Sequence, residues 1–120
     1  MCDGIIRYRS KYFIFEFKTE TSNKFYQRTD VDPKHYNQAT AYSLAFGIDD
    51  VLFVYENRDL LDKKSFIRHV TPEMKQALVG KIDYCDSYAK QLKAPPKPTT
   101  VEKKTCAYCL YKRKCEGDCY

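Results

Sequence analysis

Asp3 and the triplet Glu16, Phe17 and Lys18 are the residues best suited to chemistry in the first part of this 120-residue chain. Carboxylates are hard oxygen donors that suit Mg²⁺ or Mn²⁺, and an ammonium beside them can serve a phosphate or a water. Both groups belong to apolar stretches that read as strands joined by a polar turn, Arg7 to Lys11. Strand residues alternate between faces, so Tyr12, Ile14, Glu16 and Lys18 share one face and Phe13, Phe15 and Phe17 the other. A hairpin then brings Asp3 to the same outer end as Glu16 and Lys18. Two carboxylates and one ammonium gathered at a sheet edge are costly unless they hold a cation.

The second chemical constellation is at the other end. Cys106, Cys109, Cys115 and Cys119 follow the spacing C-x2-C-x5-C-x3-C, and they are four of the chain's six cysteines. Thiolates this close can surround one soft centre, either zinc or iron–sulfur. A secreted disulfide scaffold would carry an export signal; Met1 leads straight into a strand, so a cytoplasmic location and a metal role are expected. Zinc sites usually pair two C-x2-C knuckles and only one is present here, which leaves the identity of the metal open.

The elements that must position these groups follow from the rest of the sequence. Apolar residues are plentiful and glycine scarce, so one globular domain with a modest core is expected, without a membrane-spanning run of about eighteen apolar residues. The net charge of +5 is compatible with a polyanionic partner and mild as evidence for one. Residues 19–33 read as a polar connection in which Lys24 and Arg28 can meet a phosphate backbone. Asp32 and Pro33 open a helix that Gly47 stops. Within it Gln38 and Tyr42 stand four apart, on one face. Val51 to Tyr55 is a buried strand, and Ser65 to Val70 a short edge strand whose His69 is a surface or packing residue. Strand, strand, helix, strand implies a crossover and a mixed sheet. Thr71 and Pro72 open a long helix to about Leu92, with Met74, Leu78, Ile82 and Cys85 on its apolar stripe, Cys85 as a small buried hydrophobe. The expected organisation is a core over 1–93, a stiff proline-rich linker over 94–105 and a cysteine segment over 106–120.

Taken in order, Asp3, Glu16-x-Lys18, Gln38-x3-Tyr42 and then C-x-Y-C-x5-C resemble the PD-(D/E)XK nucleases, in particular the RecB-like branch that includes the iron–sulfur exonucleases of CRISPR adaptation. The resemblance covers nearly the whole chain. It implies an α/β fold, a restriction-endonuclease-like mixed sheet flanked by helices, with a small C-terminal cysteine-rich metal-binding segment. It further implies a Mg²⁺- or Mn²⁺-dependent deoxyribonuclease, of exonuclease type, acting on DNA ends or single strands in bacterial or phage recombination and repair. By analogy Asp3, Glu16 and the Phe17 carbonyl would hold the metal, Lys18 would orient water or stabilise the transition state, and Gln38 and Tyr42 would position the strand. A structural [4Fe–4S] cluster on Cys106, Cys109, Cys115 and Cys119 is preferred, with zinc as the alternative. Lys112, Arg113 and Lys114 would then touch DNA phosphates alongside Lys24 and Arg28. The family's upstream helix and histidine have no counterpart here. That departure leaves room for a protein partner or second copy completing the core, and for an alternative in which the fold is a non-catalytic nucleic-acid-binding module.

Overall fold

The computed structural model describes residues 1–97, 100–101 and 103–115, apart from the side chains of Lys103 and Cys115. Two compact units divide the chain, Met1–Val79 and Gly80–Tyr120. The boundary falls inside a helix, whereas the composition of the sequence suggests one at the proline-rich stretch.

The first unit is α/β. Strands β1 (Gly4–Tyr8) and β2 (Lys11–Glu20) are followed by helices α1 (Ser22–Gln27) and α2 (Pro33–Phe46), then strands β3 (Asp50–Asn57) and β4 (Lys63–His69). One mixed sheet results, in the order β1-β2-β3-β4. β1 and β2 are antiparallel, β2 and β3 parallel, β3 and β4 antiparallel. The parallel pair is the crossover expected from the element order: α1 and α2 carry the chain from one end of β2 back to the start of β3. The first hairpin is tighter than the five-residue turn expected. Arg9 and Ser10 form it alone, at φ 44° and 67°, the left-handed conformations that let a two-residue loop match the strands' twist.

Alternation decides the core. Ile14 and Glu16 on β2, and Val51, Phe53 and Tyr55 on β3, are fully buried on the face that α2 covers through Ala39. Tyr36 meets Phe53 edge to face at a centroid distance of 6.1 Å. α2 keeps its expected bounds for the expected reasons. Asp32 accepts a hydrogen bond from the Lys34 amide (2.9 Å), and Gly47 takes the left-handed cap at φ 67° while its amide bonds to the Ser43 carbonyl.

Residues 19–33 are more structured than a polar connection. β2 continues to Glu20, and α1 buries Phe25 under the sheet's end. Arg28 explains the extension. Its guanidinium forks onto the Glu20 carboxylate, with Nε 2.7 Å from Oε2, and lies 4.1 Å from the centre of the Tyr55 ring.

Helix α3 (Pro72–Lys90) opens as predicted, Thr71 Oγ1 accepting from the Met74 amide at 3.3 Å. Met74 packs on the core of the first unit. The rest of the expected apolar stripe is not a core stripe: α3 has no buried residue, Ile82 is 54% exposed, and Cys85 is exposed rather than buried. Short helices α4 (Lys103–Ala107) and α5 (Lys112–Cys115) carry the cysteine segment. Cys119 lies outside the described residues. Among the described residues, no helix is long and apolar enough to cross a membrane.

Candidate metal centre and its cleft

The hairpin register sets Gly4 opposite Phe15, and its continuation sets Asp3 opposite Glu16. β1 stops there. The Phe17 amide, left without a β1 backbone partner, donates instead to Asp3 Oδ2 at 2.8 Å. That bond holds the exposed Asp3 carboxylate at the point where β2 runs on alone on this side.

Glu16 is the unusual residue of the site. It is fully buried beside Phe53 in the register of the sheet, yet neither of its carboxylate oxygens has a hydrogen-bond donor. Lys18 Nζ lies 2.8 Å from Oε2, but off the direction that a hydrogen bond requires, so the contact is a charge pair only. Burial works against the Lys18 ammonium, and its direct contact with the Glu16 carboxylate, together with the negative charges of Glu16 and Asp3, outweighs it, so its pKa is raised and the lysine is cationic.

Beyond the sheet, Lys18 Nζ donates to Gln38 Oε1 at 3.3 Å, and Gln38 Nε2 donates to the Tyr42 hydroxyl at 3.0 Å. The pair four residues apart on α2 is thus linked to the strand lysine in one chain of contacts: Asp3 and Glu16, Lys18, Gln38, Tyr42. The structure brings together all five side chains that the sequence singles out for catalysis.

A cleft of about 1010 Å³ opens beside Lys18, walled by the end of β2, α1 and the start of α2. Lys24 lines it, as sequence reasoning suggests for a phosphate contact, and so do Lys34 and Arg58, which that reasoning missed. These three side chains have no ion-pair partner among the described residues. The acids of the same wall are engaged: Glu20 with Arg28, Asp30 with Arg68, and Asp32 as the cap of α2. Arg28 therefore serves the fold first, its charge met by Glu20. His35 lines the cleft too, its Nδ1 2.9 Å from the Tyr55 hydroxyl. Burial lowers its pKa, with Lys18 and Arg28 acting in the same direction against Asp32. Its position three residues before Gln38 on α2, hence on the same side, was the signal in the sequence. Lys112, Arg113 and Lys114 are exposed, in the second unit.

Among the described residues, no three His, Cys, Asp or Glu side chains gather into a metal-holding group. The Asp3–Glu16 pair nevertheless suits a small divalent cation. A fully buried carboxylate with two orphaned oxygens is a donor set without its acceptor, and Mg²⁺ ordinarily takes only one or two protein carboxylates.

Neither a protein-family model nor a curated protein matches the chain. Among solved structures it is similar to the crystal structure of SSO0001, with a TM-score of 0.57 and 19% identity over 92% of this chain and 47% of that one. The likeness is one of fold. The chain spans about half the length of SSO0001.

Proposed function

We propose that the chain is a Mg²⁺- or Mn²⁺-dependent phosphodiesterase of the PD-(D/E)XK type, acting on DNA. The observation that carries this reading is the buried Glu16 carboxylate, orphaned at both oxygens beside Lys18 and opposite Asp3. A carboxylate left in this state reduces stability, and a cation site is the use that offsets the cost. Asp3 and Glu16, with the Phe17 carbonyl by analogy, would hold the ion. Bound there, it would lower the pKa of a water and stabilise charge building on a phosphoryl oxygen.

The chain's own residues supply the rest. Lys18 presents a permanent positive charge toward a non-bridging phosphate oxygen, anchored on one side by Glu16 and on the other by Gln38. Gln38 is itself oriented by Tyr42, which fixes the lysine's approach. Lys24, Lys34 and Arg58 give the adjoining cleft unneutralised positive charge, suited to the phosphates of a strand leading to Lys18. Action on single strands or free ends, in recombination or repair, follows from the resemblance to the RecB-like branch. So does a soft metal centre on the C-terminal cysteines, iron–sulfur in preference to zinc. The degradation of end-labelled single- and double-stranded DNA with Mg²⁺ or Mn²⁺ tests the reading. Cleavage that disappears with chelator and in Lys18→Ala is expected; chelator-resistant cleavage, or none by folded protein, overturns it.

A further inference from the structure

The tip of the first hairpin is used neither by the metal pair nor by the cleft. Pairing of β1 with β2 continues to Tyr8 and Lys11, whereas β2 meets β3 only from Ile14 onward. Residues 6–13 therefore form a two-stranded ribbon that runs on past β3, closed by Arg9 and Ser10. From residue 4 to residue 15 the chain has three cations, Arg7, Arg9 and Lys11, and no acid. All three are exposed, and none has an ion-pair partner among the described residues. Two of them meet tyrosines instead. The guanidinium carbon of Arg9 lies 5.3 Å from the centre of the Tyr8 ring, and that of Arg7 lies 5.9 Å from the centre of Tyr12. The two tyrosines stay 61% and 53% exposed, so each carries a cation beside it and keeps most of its surface open.

Charge commonly protects a sheet edge from pairing with another chain, but either sign serves that purpose and large exposed rings do not. Unneutralised cations interleaved with open aromatic rings are the surface that binds single-stranded nucleic acid. The cations follow the phosphates, and the rings stack on bases of any kind.

We propose that this ribbon is an arm that holds single-stranded DNA at a distance from the metal pair. The proposal rests on the chain acting on DNA and not on hydrolysis itself. Position along β2 supports it. Ser10 precedes Glu16 by six residues, about 20 Å at ~3.4 Å per residue of strand. Arg7 and Tyr12 are register partners, and alternation puts Tyr12 on the face of Glu16. The cleft is lined by the far end of β2, from Phe17 to Glu20. Arm, metal pair and cleft thus follow one another along a single strand, and a bound DNA strand would be held on both sides of the phosphate at the metal pair. An acidic lipid surface is the other polyanion that suits a basic hairpin. A membrane-seeking tip carries large apolar side chains, and this one is Arg9 and Ser10.

The test is binding of a labelled single strand of mixed sequence, and of a duplex of the same length, by the full chain in chelator, followed by anisotropy over a range of salt. One variant combines Arg7→Gln, Arg9→Asn and Lys11→Gln, asparagine being suited to the left-handed φ of residue 9. A second combines Tyr8→Thr and Tyr12→Thr, which keep strand propensity. Far-UV circular dichroism and the urea midpoint check folding. The parent binds the single strand more tightly than the duplex. Removing the cations weakens binding and lowers the slope of log K against log salt by about 0.7 for each, about 2 in all. Removing the tyrosines weakens binding about fivefold or more and leaves the slope unchanged. Parental affinity and slope in the first variant, or parental affinity in the second, overturns the proposal. So does binding to vesicles containing phosphatidylserine that the first variant loses while it keeps the DNA. A parent that binds no DNA overturns both the arm and the DNA reading, whereas a parent that binds through the arm and never cleaves refutes the hydrolytic reading alone.

Discussion

Replacing Glu16 with methionine should make the metal-free protein more stable. The carboxylate is fully buried, its oxygens lack donors, and its contact with Lys18 Nζ at 2.8 Å is not a hydrogen bond. Leaving a buried polar group unsatisfied costs about 1–3 kcal/mol, and more when it is charged. Exchanging a buried ion pair for apolar volume is often neutral or stabilising by about 1–4 kcal/mol. Methionine preserves the unbranched stem between Ile14 and Phe53, and Lys18, whose side chain is 23% exposed, keeps Gln38 and solvent. A gain of about 1–3 kcal/mol is therefore expected in chelator. In a domain of this size each kcal/mol raises Tm by about 4–8 °C, so calorimetry or a urea titration resolves it. Ligand linkage supplies a second arm. Mn²⁺ at about a hundred times its Kd stabilises the parent by about 2.7 kcal/mol and leaves Glu16→Met unmoved. A methionine variant less stable than the parent in chelator would refute the reasoning, because Glu16 would then be holding the fold together.

Other outcomes follow from the same geometry. Glu20→Ala strands the nearly buried Arg28 guanidinium and should cost about 3–5 kcal/mol; a loss below about 1 kcal/mol would show that the pair is solvent-screened. Glu20→Ala with Arg28→Ala together should cost less than the two single losses added, as a double-mutant cycle measures. Arg9→Asn with Ser10→Gly suits the left-handed φ of both turn residues and should add about 1–2 kcal/mol, read as a higher urea midpoint at unchanged slope. His35 has its pKa lowered by burial from an ordinary 6.5, so the folded state binds the proton less well than the unfolded one. Stability should be complete above about pH 6.5 and fall as acid carries the pH through the depressed folded value, and His35→Gln should flatten that fall.

Much of the first unit was legible because its signals are local. Alternation on β2 fixed which residues share a face with Glu16, and capping residues Asp32 and Gly47 bounded α2. Element order alone required the crossover that makes β2 and β3 parallel. The hairpin register then carried Asp3 to Glu16. What escaped was decided by partners distant in sequence. Glu20 and Arg28 read separately as polar loop residues, and only their pairing over Tyr55 turns that stretch into strand and helix. The burial of Glu16 without donors is likewise invisible in composition, since a solvated Glu-x-Lys pair has the same sequence. On α3 the periodicity misled: apolar residues recur at helical spacing, yet the helix buries none of them, so Cys85 reads as core while it is exposed. His35 was within reach, three residues before Gln38 on a helix already identified.

The most direct test of the central claim is the rate of Mn²⁺-dependent hydrolysis of an end-labelled DNA strand, compared between the parent and Glu16→Met with the melting temperature of each recorded alongside. If the buried carboxylate exists to hold a catalytic cation, the methionine variant is more stable and inactive. A variant that cleaves at the parental rate would contradict the account, because the orphaned Glu16 would then have no part in the chemistry.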